Sequence, residues 1–168
     1  MNGFTLIELS VALSIMALLA AVMLPRVAQL QHAARVGKLK SLHGEVSTRV
    51  MLVHAAALTR RGQPDSRPCA GGGVADNRLE GPGTLCIEHG LVRTLHAYPT
   101  ADAVGSAPMF QPHDPLLSRA DYTLRSTDGA MRLARIDAAD PQQCGFTYTQ
   151  ALDVKTAAAI SVPVISGC

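Results

Sequence analysis

The pattern of hydrophobic and polar positions changes once, near residue 25. From Phe4 to Leu24 the run "FTLIELSVALSIMALLAAVML" is almost wholly apolar, with neither Gly nor Pro and one charged residue, Glu8. The sixteen residues from Leu9 to Leu24 span roughly 24 Å as a helix. Adding Phe4 to Ile7 reaches the roughly 30 Å of hydrocarbon in a bilayer. From Val27 onward the apolar positions thin to Leu30, Ala34, Leu39, Leu42, Val46, Val50, Val53 and Ala57. Gaps of mostly three and four put these on one face of an amphipathic helix. Pro25 removes a backbone donor and loosens the join between the two halves, and Gly37 and Gly44 each cost about 1 kcal/mol relative to Ala. The pattern therefore predicts one long, locally soft helix from about Phe4 to about Arg60. Residues 4–25 form its membrane half and 26–60 its amphipathic half, whose apolar face packs on a C-terminal domain.

That domain, residues 61–168, reads as short strands between turns. "RRGQPDSRPCAGGGVADN" ends the helix and opens a long loop. Its three glycines, Gly71 to Gly73, lack the following Lys-Ser/Thr of a phosphate cradle, so they read as loop. "TLCIEH" and "LVRTLH" flank Gly90 as two strands, and "AYPTADAVGSAPMFQPHDP" is a turn-rich connection. "DYTLRS" and "MRLARID" surround Asp128-Gly129, the strongest hairpin signal in the chain. "CGFTYTQA" alternates as an outer strand, and Pro163 in "AAAISVPVIS" marks an edge. One helix with four to six antiparallel strands is an α+β arrangement.

Composition narrows the function. A net charge of +2 and 4% aromatic residues without Trp leave neither a strong field nor stacking platforms for nucleic acid. Arg60, Arg61, Arg67 and Arg78 gather around the first loop without interleaved aromatics and read as a solvated loop. Cys69, Cys86, Cys144 and Cys168 form an even set outside the apolar run, which predicts disulfides with three pairings open. No C-x-x-C or paired histidine suggests zinc. The histidines at 32, 43, 54, 89, 96 and 113 are scattered, with His32 and His43 expected on the solvated side of the helix. Cys86 and His89 repeat no known nucleophile spacing. Asp121, Asp128, Asp137, Asp140 and Asp153 form no compact calcium loop and read as turn carboxylates. The chain is expected to be neither an enzyme nor a cofactor or metal protein.

Glu8 needs its own account. An acid at a membrane-helix centre costs about 2.5–3.5 kcal/mol, less near the interface. A secretory signal has a basic start and no acid in its apolar region, and a plain anchor has no use for one. The stretch "GFTLIEL", Gly3 to Leu9, followed by an apolar helix and Pro25, resembles the start of type IV pilins and of the pseudopilins of type II secretion. The resemblance implies a leader of residues 1–3, cut by prepilin peptidase after Gly3, with methylation of the new amine on Phe4. It makes Glu8 the assembly glutamate and Pro25 the helix-weakening proline. It implies a pilin-like fold, with a long N-terminal helix packed on a small antiparallel sheet domain. The partners implied are other pilin subunits, the inner membrane and its assembly machinery. The precursor would sit in the inner membrane and end in an extracellular pilus or a periplasmic filament.

Cys144 and Cys168 bracket the last two segments, and a Cys-bounded C-terminal loop is a pilin trait that many major pseudopilins lack. This points to a pilus subunit, major or minor, and Cys69–Cys86 would staple the region after the helix in the same way. A type II secretion pseudopilin and a membrane-tethered binding module that never polymerises are the alternatives. Arg26, Arg35, Lys38 and Lys40 would by the positive-inside rule keep the C-terminal side in the cytoplasm. The cysteines and the motif place it outside.

Overall fold

The computed structural model describes residues 5–88, 90–102 and 121–168. Gly3, Phe4, His89 and most of the 97–115 connection lie outside the described residues. The chain divides into two compact units, Met1–Gly37 and Lys38–Cys168. One helix, α1 (Leu6–Arg60), runs through both.

In the first unit α1 is the only element among the described residues, and its large apolar side chains from Leu6 to Leu30 are largely exposed. Leu6 is 86% exposed, Leu18 and Leu24 are each 70% exposed, and Leu30 is 68% exposed. Periodicity puts Leu30 and Ala34 on the buried face; both are exposed, and that face begins at Leu39. The helix passes through Pro25 without ending. There it lacks one N–H donor and stays the single helix that the pattern predicts. Ser10 and Ser14 turn their hydroxyls back onto the Ile7 and Ser10 carbonyls, at 2.9 and 2.8 Å. Both polar groups are thus satisfied within the helix, as a hydrocarbon setting requires.

The second unit packs the Lys38–Arg60 part of α1 on two small antiparallel sheets, an α+β, pilin-like layout. The first sheet has the order β1 (Pro82–Ile87), β2 (Gly90–Leu95), β3 (Tyr98–Pro99). The second has the order β4 (Tyr122–Thr127), β5 (Ala130–Arg135), β6 (Gly145–Thr149), β7 (Ala159–Ile160). Leu39, Leu42, Val46, Val50, Val53 and Ala57 supply the buried stripe of α1. Leu85 and Val92 from the first sheet and Met131, Leu133, Phe146 and Tyr148 from the second complete the core.

The β4–β5 hairpin closes as its sequence predicts. Thr127 pairs with Ala130, and Asp128 and Gly129 turn with φ of +46° and +76°, the two positive values of a type I′ turn. The β2–β3 hairpin has no such signal, because His96 and Ala97 occupy the turn at φ of +51° and +66°. Gly81 holds it there. Its N–H donates to His96 Nδ1 at 3.2 Å, and its carbonyl accepts from the His96 N–H at 3.0 Å. Expectation also fails at "CGFTYTQA". β6 is interior, paired with β5 on one side and β7 on the other, and the edge falls on the two-residue β7. Gly145 permits this close pairing, since a Cβ there would fall on the Leu133 carbonyl oxygen.

Polar contacts link the second sheet to β3 and the residues just after it. Buried Tyr148 on β6 donates its hydroxyl to the Pro99 carbonyl on β3 at 2.6 Å. Beside it the Gln150 side-chain carbonyl accepts from the Ala101 N–H at 2.8 Å, and the Ser126 hydroxyl donates to the Ala101 carbonyl. Burial raises the Tyr148 pKa far above the ordinary 10. A proton held more tightly in the fold than in the open chain gives stability that is full below pH ~10 and drains away as the pH climbs from there. Tyr148→Phe leaves the Pro99 carbonyl without its donor and should cost about 1–3 kcal/mol in urea unfolding. In an alkaline spectrophotometric titration of the wild type, one tyrosine should ionise only as the protein unfolds. The same step should be missing from the variant.

Candidate functional site

The chemistry-bearing residues fall into two groups. The first is the start of α1. Thr5 caps the helix, its Oγ1 accepting the Glu8 N–H at 3.3 Å. Glu8 therefore stands at the third helical position, and Thr5-Leu6-Ile7-Glu8 has the S/T-x-x-E spacing of a capping box. This sequence signal is independent of the family resemblance, and it gives Glu8 a local role beside any role in assembly. Capping does not account for the acid by itself. A carboxylate near a helix N-terminus contributes typically 0.3–1 kcal/mol, less than the insertion cost of an acid at a membrane-helix centre. An 18-residue window of this helix has a mean hydropathy of 2.3 and is 0% buried, so by length and composition it is able to cross a membrane.

The second group lies where α1 ends. Arg61 and Gly62 turn the chain out of the helix at φ of +52° and +71°. The Arg60 guanidinium donates to the Asp65 carboxylate at 3.3 Å, to Asn77 Oδ1 at 3.2 Å and to the Cys86 carbonyl at 3.0 Å. Asn77, 1% exposed, returns two bonds, from Nδ2 to the Gln63 carbonyl at 2.6 Å and to Asp65 Oδ1 at 2.9 Å. One network thus ties the helix end to the loop beyond it and to β1. Arg60 is consumed by it, and Arg78 pairs with Asp76 at 3.4 Å, so two of the four arginines around this loop are structural. Residue pattern does not single out Asn77; an Asn able to take a positive φ (+52° here) is the signal that marks it.

Cys69 and Cys86 form a disulfide with Cα atoms 5.5 Å apart, and Cys144 and Cys168 form another at 4.9 Å. Among the described residues no cysteine is free. Loops of these lengths correspond to about 3 kcal/mol each in the chain-entropy model.

Among the described residues, several of the scattered histidines and acids take structural places. His43 is not on a solvated face: its ring meets Phe146 edge-on, with centroids 5.1 Å apart. His54 stacks on Tyr98 at 3.9 Å. Both border a groove of about 410 Å³ that Val50, Leu58 and Ile160 also line. His32 is exposed. Asp128 sits in its turn, and Asp137 chelates Arg135. Asp140 accepts the Gln142 N–H at 2.8 Å, and Asp153 accepts the Lys155 and Thr156 N–H groups at 2.7 Å each. Among the described residues no three potential metal ligands gather.

Against this geometry, residues 1–24 match the family model described as the prokaryotic N-terminal methylation motif. This is the signal motif of type IV pilins and pseudopilins. It supports a type IV pilin-like or pseudopilin protein and does not separate the two. Proteins with this motif are structural rather than enzymatic, and the motif implies prepilin peptidase processing and pilin assembly in general. Motif and apolar helix together fit a membrane-anchored precursor. Comparison with curated proteins and with solved structures returned no match.

The stapled loop and tail make stability measurable at two points. At Asp76, burial works to raise the pKa. Bonds from the Thr84 N–H (2.7 Å), the Arg78 N–H (3.4 Å) and the Thr84 hydroxyl (3.0 Å), with the Arg78 charge, outweigh it and hold the pKa below 3.8. The resulting stability is present above the ordinary carboxylate value and is lost as pH falls through the lowered one. Asp76→Asn should therefore be less stable than wild type at pH 7, with the gap closing as the pH falls below the ordinary carboxylate range. Denaturant midpoints across that range measure it. Replacing Cys144 and Cys168 together by Ser should cost about 3 kcal/mol and let amide exchange rise first near Cys168.

Proposed function

We propose that this chain is a structural subunit of a type IV pilus, major or minor, assembled through its N-terminal helix after cleavage behind Gly3. The observation that carries the reading is the unburied apolar helix with one acid at its start. That helix needs lipid before assembly and other helices after it. Once Phe4 is the first residue, its cationic amine adds to the positive end of the helix dipole. A neighbouring Glu8 carboxylate neutralises it, while either charge alone stays penalised in an apolar setting. The pair therefore rewards the assembled stack over the lone subunit and sets its axial register. The loop tied by Cys144 and Cys168 favours a pilus subunit over a type II secretion pseudopilin. The partners are then other pilin subunits, prepilin peptidase and the inner-membrane assembly machinery. The final place is an extracellular pilus.

Mass spectrometry of membrane-extracted protein should find a methylated Phe4 at the N-terminus, and Gly3→Val should leave the precursor uncut. An intact Met1 in the wild type, or cleavage near Ala20, would sink the reading. Glu8→Ala and Glu8→Gln should both insert and be cleaved, yet reach filaments poorly. A buried charge left alone costs about 3–5 kcal/mol, less near an interface, and 1.4 kcal/mol per contact is already about a tenfold loss. The ratio of sheared filament to membrane protein reads this directly. Equal ratios in wild type and both variants would leave Glu8 as a helix-start acid only.

A further inference from the structure

Away from the N-terminal helix and the disulfides, the second sheet holds a like-charge pair that its own chain does not neutralise. Arg125 on β4 and Arg132 on β5 are direct cross-strand partners. Like charges in that position destabilise a sheet. Among the described residues neither arginine has a carboxylate at ion-pair distance, although Arg49, Arg60, Arg78, Arg93 and Arg135 each do. Arg132 is instead steadied by donating to the Gln142 carbonyl at 2.6 Å. Both arginines line a groove of about 210 Å³, which Thr123, Ala134, Pro141 and Gln142 also border. Arg135 reaches the same groove, but its guanidinium is committed to Asp137 through two bonds of 2.8 Å. The excess charge therefore belongs to Arg125 and Arg132.

We propose that this groove is a binding site for a small doubly charged tetrahedral oxyanion, a sulfate or phosphate ion or the phosphate group of a monoester. Two arginines lining one groove can offer N–H donors to two edges of such a group, in pairs where the fork is open. A carboxylate offers one such edge and one charge, and would leave half of the excess in place. The groove is too small for a nucleotide to be engulfed, so the group itself is what is recognised. The 3-10 turn Pro141–Gln143, capped by Asp140, fixes the Gln142 wall of the groove.

The test uses the full chain in non-ionic detergent at constant ionic strength balanced with chloride. Sulfate, inorganic phosphate and methyl phosphate are the probes. Sulfate should bind saturably, shift the amide resonances of Thr123, Arg125, Arg132 and Gln142, and raise the melting temperature. Arg125→Gln and Arg132→Gln should each weaken binding by about tenfold or more and abolish the anion-dependent rise. Without anion Arg125→Gln should melt no lower than wild type, because the repulsion is gone, whereas Arg132→Gln also gives up the bond to the Gln142 carbonyl and is read by its anion response alone. Arg125→Lys keeps the charge but loses the fork, and should bind between the two. Methyl phosphate binding as well as phosphate identifies an esterified group as ligand, and free phosphate binding alone identifies the free ion. Either supports the site. Sulfate also stabilises folded proteins by exclusion from their surfaces. An equal rise in wild type and both Gln variants, or shifts that grow without saturating, overturns the proposal.

Discussion

A single helix here has to satisfy two different surroundings. From Leu6 to Leu24 it is mostly apolar all round, and among the described residues it is not buried. From Leu39 to Ala57 it is apolar on one stripe, and that stripe is buried. The side away from the stripe must be apolar in one setting and polar in the other, so the composition of the helix has to change along its length. The all-round apolar part has a favourable place only in hydrocarbon or among other apolar helices. The striped part supplies the second unit with a core surface that its short strands do not supply alone. Glu8 belongs to this constraint: an acid is tolerated in the first environment only where a cation or an interface meets it.

In the second unit strands are short and aromatics few, and other contacts compensate. β3 and β7 are two residues each, too short to hold a sheet together by ladder bonds. Side chains take over that work. The Tyr148 hydroxyl joins the two sheets, and Arg60 and Asn77 join the helix end to the loop and β1. The disulfides fasten the loop before β1 and the tail after β7. Buried polar groups in such a network raise the cost of any loss, since each partner left behind is unsatisfied. The arginine pair on β4 and β5 departs from this economy, and that departure is what marks it as a place for an outside anion.

The long helix, its buried stripe from Leu39 onward and the Asp128-Gly129 hairpin are all legible in the residue pattern, because each rests on local periodicity or on one turn's backbone demand. The apolar run and "GFTLIEL" also carry the class of protein, and the matched motif covers that same stretch. Other features depend on what the tertiary structure brings near. His43 looks solvated by sequence until Phe146 from a distant strand meets its ring. His96 and Ala97 form a hairpin turn without glycine because Gly81 holds them from outside. "CGFTYTQA" has the alternation of an outer strand, yet β7 folds back to cover it. Nothing within residues 120–135 alone shows that the Arg125–Arg132 pair opens on a groove walled by Gln142. Sequence determined the features set by spacing along the chain, and the tertiary structure decided those set by distance across it.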